Sequence, residues 1–360
     1  MRSAWVVGAL LLAAAVPAGA QDFTIEVQLQ GRYLQGLPLA WSPTDVLLLG
    51  RDGYLWRFSP EEAKSYRKVA GGFQGYSPSD LRSQLSQEFG RAFDVSGTGH
   101  YLVVHPAGQR DAWAGRFEEL YRSFVHYFTA RGWSPQPPRF PLVAVVFPRQ
   151  QDFLRHAAAE GASLEPATLG YYSPKTNRIL LYDVTAGQPS RGDWHVNAHL
   201  IIHEATHQTA FNTGIHNRFS VPPQFVAEGL ATMFEARGVW NWQQSTGLQE
   251  RIHAHRLAAF QKYAASRRKK GWLAQFVATD DRFRSDPEAA YAEAWALTFF
   301  LAETSSRKYV DYLRQIAARP SFTPYGAAER IRDFQAAFGD LALVEAHFLR
   351  FISFCGGVDR

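Results

Sequence analysis

One cysteine in 360 residues, Cys355, excludes any intrachain disulfide, so a chain of this length has to be held by its core. The same scarcity excludes a lipid anchor directly behind an N-terminal signal, which requires a cysteine there. Cys355 sits among Phe351, Ile352 and Phe354, and reads as a packing residue. Excess charge of one sign is also missing: 38 Lys and Arg stand against 33 Asp and Glu, a formal +5. This weak balance is no footprint for nucleic acid. The one basic run, Arg267-Arg268-Lys269-Lys270, precedes Gly271 at an expected helix end, where cations suit the dipole and water. Long apolar stretches are lacking after residue 20, so no membrane span is expected in the mature chain.

What is present begins with that N-terminus. Arg2, the apolar run Trp5 to Val16 and the small residues Ala18-Gly19-Ala20 read as a cleaved secretory signal over residues 1–20. The expected location is therefore secreted or periplasmic. With 46% hydrophobic and 14% aromatic residues, the remaining chain has ample material for a core.

The organisation expected is a β-rich region over residues 21–106, then one domain over 107–360. That domain has a sheet part, 107–196, and a helical part, 197–360. Val46 to Leu49, the turn Gly50-Arg51-Asp52-Gly53 and Tyr54 to Phe58 predict a hairpin. Asp80 is expected to cap a helix reaching Phe89, and His100 to His105 reads as a strand. Phe117, Leu120, Tyr121, Phe124, Val125 and Phe128 recur at helical spacing, with Gly132 as the stop. Leu142 to Phe147 is apolar throughout and reads as a buried strand, followed by a helix from Gln151 to Glu160. Gly170 to Ser173, a turn at Pro174 to Asn177, and Arg178 to Val184 predict a second hairpin. Beyond Asn197, read as a helix cap, the pattern is helical. Strands first and helices after make an α+β fold, with a cleft expected where the two parts meet.

At that point stands Leu200-Ile201-Ile202-His203-Glu204-Ala205-Thr206-His207-Gln208. Histidines four apart project from one face of a helix and can share a zinc ion, while the carboxylate between them can take a proton from water. A catalytic zinc needs a third protein ligand. The metzincin pattern would put glycine at 210 and histidine at 213, where the chain has Ala210 and Thr213; only His216 from a shifted turn could substitute. Glu228 in Phe225-Val226-Ala227-Glu228-Gly229-Leu230-Ala231 is the better candidate, because Gly229 would let its helix pass close to the histidine helix. Glu235, two turns on, is the alternative, or a solvated carboxylate. His195 and His199 would join the same face only if the helix began early. His253 and His255 read as solvated.

The pair of motifs His203-Glu204-Ala205-Thr206-His207 and Glu228-Gly229-Leu230-Ala231 resembles the gluzincin, or peptidase-MA-like, zinc metalloproteases. More narrowly it resembles an uncharacterised bacterial domain-of-unknown-function family within them. The resemblance implies a zincin-like fold, zinc (Zn2+) held by His203, His207 and Glu228, Glu204 as general base, and a peptide or protein substrate. Thr232 stands where thermolysin-like members carry an aspartate that orients a histidine. Gluzincins also pair an edge strand with extended substrate, which nominates Arg178 to Val184. Many carry a tyrosine at the separation from the third ligand at which Tyr291 follows Glu228. Tyr291 is thus expected either to stabilise the transition state or, with Trp295 and Phe299 at helical spacing, to pack in the core. The function expected is a secreted zinc metallopeptidase; the alternative is a non-catalytic envelope binding or scaffold protein that keeps the fold.

Overall fold

The computed structural model describes residues 23–109, 113–185, 194–241 and 247–357. The expected signal segment and the side chain of His195 lie outside the described residues. The described residues form two compact units, one from those within 23–118 and 138–185, the other from those within 119–137 and 194–357.

The first unit carries two five-stranded sheets. One is antiparallel, in the order β4-β3-β2-β1-β5, from β1 (Thr24–Leu29), β2 (Arg32–Trp41), β3 (Val46–Gly50), β4 (Leu55–Phe58) and β5 (Ala63–Val69). The predicted hairpin is β3–β4, and β3 is buried at all five residues. Helix α1 (Pro78–Phe89) follows, capped by the Ser77 hydroxyl, which accepts from the Asp80 amide at 3.2 Å. Asp80 is therefore not the cap: Pro78 occupies the first turn, which moves the boundary upstream.

The second sheet, in the order β6-β7-β8-β10-β9, is mixed. It contains β6 (Phe93–Gly97), β7 (Tyr101–Pro106), β8 (Leu142–Phe147), β9 (Gly170–Ser173) and β10 (Arg178–Tyr182), with β7, β8 and β10 parallel to one another. Two helices lie between strands of this sheet in sequence: α2 (Ala114–Thr129), whose residues from Glu119 onward belong to the second unit, and α3 (Gln150–Ala159). Leu81 and Leu85 of α1 and Phe153 and Ala157 of α3 pack with Leu102, Val104, Val143, Val145, Phe147 and Leu180 in one core. Strand β10 has no free edge. It pairs with β8 on one side and β9 on the other, which overturns the expectation that Arg178 to Val184 is an edge strand open to substrate. Its buried Ile179, Leu180 and Leu181 show the reason, because a strand buried on both faces belongs inside a sheet.

The second unit is helical after α2: α4 (Trp194–Asn212), α5 (Gln224–Phe234), α6 (Arg237–Trp240), α7 (Leu248–Arg251), α8 (Ala254–Ser266), α9 (Trp272–Ala278), α10 (Asp281–Ser285), α11 (Pro287–Thr304), α12 (Ser306–Ala317), α13 (Ala327–Phe338) and α14 (Leu341–Cys355). Strands first and helices after is thus the observed α+β order among the described residues. The core pair is α5 against α11, which is buried from Ala289 through Ala302. A Cβ on Gly229 of α5 would collide with Thr298 Oγ1 and come within 2.6 Å of the Ala294 carbonyl oxygen. The close approach that this glycine permits is therefore to α11, not to the histidine helix. Cys355 is buried and unbonded, as a packing residue should be.

The basic run follows the end of α8, and Arg267, Lys269 and Lys270 are exposed as expected, but Arg268 is not solvated. The Arg268 side chain is 3% exposed, and bridges Glu293 of α11 at 2.8 Å and Glu345 of α14 at 2.7 Å. Arg282 reaches the other oxygen of Glu293 at 2.6 Å, and Glu345 also accepts from the amides of Gly271 and Leu273. Buried carboxylates recruit the arginine here, since an unpaired charge in such a place is prohibitive.

Candidate metal centre

Helix α4 carries apolar side chains all round, and Leu200, Ile201, Ile202, Ala205 and Ala210 are buried. Such a helix sits inside a domain, so its polar residues must find partners there. It begins at Trp194, three residues before the expected cap. Asn197 is accordingly a buried helical residue, and His199 an exposed one. Helix α5 is buried from Phe225 to Phe234. Its N-cap position is Pro223, which cannot cap, so the Gln224 amide donates to Asp280 Oδ1 at 2.9 Å. Arg330 holds that aspartate with two bonds of 2.9 Å.

These helices bring His203, His207 and Glu228 together, all buried and all in the second unit. His203 Nε2 lies 3.2 Å from His207 Nε2 and 3.3 Å from Glu228 Oε2; His207 Nε2 to Glu228 Oε2 is 3.6 Å. Tetrahedral zinc with bonds of about 2.0–2.1 Å separates its ligand atoms by about 3.4 Å. The triangle therefore has the size that such an ion requires. Glu228 is fully buried, and beyond the two imidazoles neither of its oxygens has a hydrogen-bond partner among the described residues. A carboxylate in that position calls for a cation. Two imidazoles and a carboxylate are a donor set that suits zinc, so the residues fit the implied metal.

The electrostatics agree. Burial alone would raise the Glu228 carboxyl, but His207 and His203 outweigh it and hold it down to about 2. Burial alone would lower His203, but Glu228 and Glu235, one on each ring nitrogen, lift it to about 10. A metal ligand must offer a lone pair, so a cation entering here displaces the proton on His203.

Glu235 is neither a solvated carboxylate nor a member of the three-donor group. It is 3% exposed and takes a hydrogen bond from His203 Nδ1 at 2.7 Å through Oε1. The carboxylate against His203 Nδ1 is thus that of Glu235, and not a group at position 232, to which the resemblance pointed. Thr232 is fully buried, with no partner for its hydroxyl among the described residues. His253 is not solvated either: its side chain is 13% exposed, and its Nε2 meets Glu235 Oε2 at 2.9 Å. His255 is exposed, as expected. His216 is buried and outside the group. Burial, with the charge of His207, lowers it to about 3 and keeps it neutral. Glu204 is buried beside His203 on α4. Tyr291 is buried in α11, its ring edge-on to Phe283 with centroids 5.4 Å apart and the Arg256 guanidinium over it. The sequence signal for Glu235 was present: a carboxylate on an otherwise apolar helix, seven residues after Glu228 and on the same face. Nothing local marked His253 or Asp280.

Comparison with known proteins gives limited kinship. An M1 zinc metallopeptidase from Deinococcus radiodurans is similar at 15% identity and TM-score 0.42, over 71% of this chain and 49% of that one. A mutant of the same enzyme bound to a Tyr-Ser-Ala substrate gives 13%, TM-score 0.41, and 70% and 48%. The chain spans about half the length of these structures. No protein with a curated description matches. Residues 197–323 match the model of a family described as a protein of unknown function (DUF1570), a stretch that includes His203, Glu204, His207, Glu228 and Tyr291.

Proposed function

We propose that this chain is an exported zinc-dependent hydrolase of gluzincin type that cleaves peptide bonds. The observation that carries the reading is the triangle of buried donor atoms from His203, His207 and Glu228, with the Glu228 oxygens lacking any other partner. Zinc held there supplies a Lewis acid that makes water acidic and stabilises negative charge on a carbonyl oxygen. Glu204, the residue after His203, takes the proton of the attacking water on its carboxylate and passes it to the leaving amide nitrogen. Tyr291 donates its hydroxyl proton to the oxygen on which charge develops. The N-terminal apolar segment supports export, and no helix among the described residues is long and apolar enough to cross a membrane.

The test is metal analysis of the purified protein together with a peptide-library digest. Wild type should hold one zinc per chain and cut peptides. His203→Ala, His207→Ala and Glu228→Ala should lose stoichiometric zinc, and Glu204→Gln should keep zinc while losing cleavage. Cleavage that survives in Glu204→Gln removes the base. Full zinc with no cleavage by wild type favours the envelope-binding alternative.

A further inference from the structure

His203 is held at its far nitrogen by Glu235, and Glu235 is itself held. Its second oxygen, Oε2, lies 2.9 Å from His253 Nε2. His253 occupies the N-cap position of α8, and its Nδ1 accepts from the Arg256 amide at 3.4 Å. An amide nitrogen can only donate, so Nδ1 presents its lone pair and the ring proton sits on Nε2. That proton points at the Glu235 carboxyl group. Glu235 Oε1 then accepts from His203 Nδ1 at 2.7 Å, which leaves His203 Nε2 as the nitrogen facing His207 and Glu228. The polarity of this chain is set at the α8 terminus and runs without a break to the metal-facing atom. Its outer end stands at the wall of an open cavity of about 640 Å³, lined also by His199 and His255.

We propose that His253 is a positioning residue for the metal centre: through Glu235 it fixes the tautomer and ring orientation of His203. The inference rests on the metal-site reading above. Partners of this kind commonly change metal affinity by about 10–100-fold when removed. Glu235 deprived of its His253 donor is free to turn, and His203 turns with it.

The experiment measures zinc affinity by chelator competition, and the visible spectrum of the cobalt-substituted protein, in full-length variants. His253→Ser keeps a helix-capping hydroxyl but cannot reach Glu235; His253→Gln places an N–H donor where Nε2 stood. The expected result is a loss of about tenfold or more in zinc affinity with an altered cobalt spectrum for His253→Ser, at an unchanged circular dichroism spectrum. His253→Gln should recover most of that loss. Wild-type affinity and spectrum in His253→Ser overturn the relay while leaving the metal site intact. Wild-type zinc content in His203→Ala overturns the site and the relay with it.

Discussion

Gly229 and Ala294 face each other across the α5–α11 crossing so closely that one methyl group on the glycine would stand 2.6 Å from the Ala294 carbonyl oxygen. Backbone cannot retreat from such a contact without moving a helix. Glu228, the neighbouring residue on α5, would move with it.

Gly229→Ala should therefore destabilise the protein by about 1–3 kcal/mol or more and weaken zinc binding together. Thermal unfolding and chelator competition measure the two effects. A variant with wild-type values for both would show that the crossing tolerates a methyl group, and that Glu228 is not positioned by it.

Arg268 is the shared partner of Glu293 and Glu345. Arg268→Met should cost about 3–5 kcal/mol, because removing one member of a buried ion cluster strands the others. Urea unfolding should show the loss as a lower midpoint. A cost below about 1 kcal/mol would mean that Arg282 and the Gly271 and Leu273 amides satisfy both carboxylates unaided.

In the first unit, Glu118 takes hydrogen bonds from the Thr98 hydroxyl, the His100 amide and the His100 ring at 2.9–3.0 Å. Burial acts to raise its carboxyl, but those donors prevail and hold it below the usual range. A depressed folded value contributes stability above the unfolded value of about 4.3, and that contribution is lost as pH falls through the folded one. Wild type should accordingly lose stability as pH falls below about 4.3 more steeply than Glu118→Gln, as denaturant midpoints across the acid range would report. Parallel pH profiles would remove Glu118 from the acid response.

Tyr291→Phe separates the two roles open to this tyrosine, since it deletes the hydroxyl and keeps the ring against Phe283. Catalytic donation predicts a fall in turnover of about 100-fold or more with zinc content and melting temperature unchanged. Unchanged turnover would leave Tyr291 as a core residue.

Much of this architecture was legible along the chain. The β3–β4 and β9–β10 hairpins, the buried β8 and the helices α2 and α3 follow from local turn chemistry and hydrophobic period, which act over a few residues. The histidine pair was legible for the same reason, because four-residue spacing on one helix is a local geometry. Glu228 was legible as an acid in an apolar helix.

Pairing between distant segments was not legible. The sequence shows β10 as an apolar run but carries no mark of which strands flank it; β8 and β9 on its two sides closed the edge where substrate pairing was expected. Gly229 was recognisable as a point of close approach, and only the fold chose α11 as the element approached. Arg268 looked like part of a solvated basic run until Glu293 and Glu345, from two other helices, buried it. His253 looked solvated, and Glu235 either a solvated acid or the alternative third ligand, until both were placed behind His203. The residue types on one helix are set by a period of 3.6. Which charge meets which across helices depends on how whole elements pack, because a buried polar group takes its partner from whatever segment the core brings within about 3 Å.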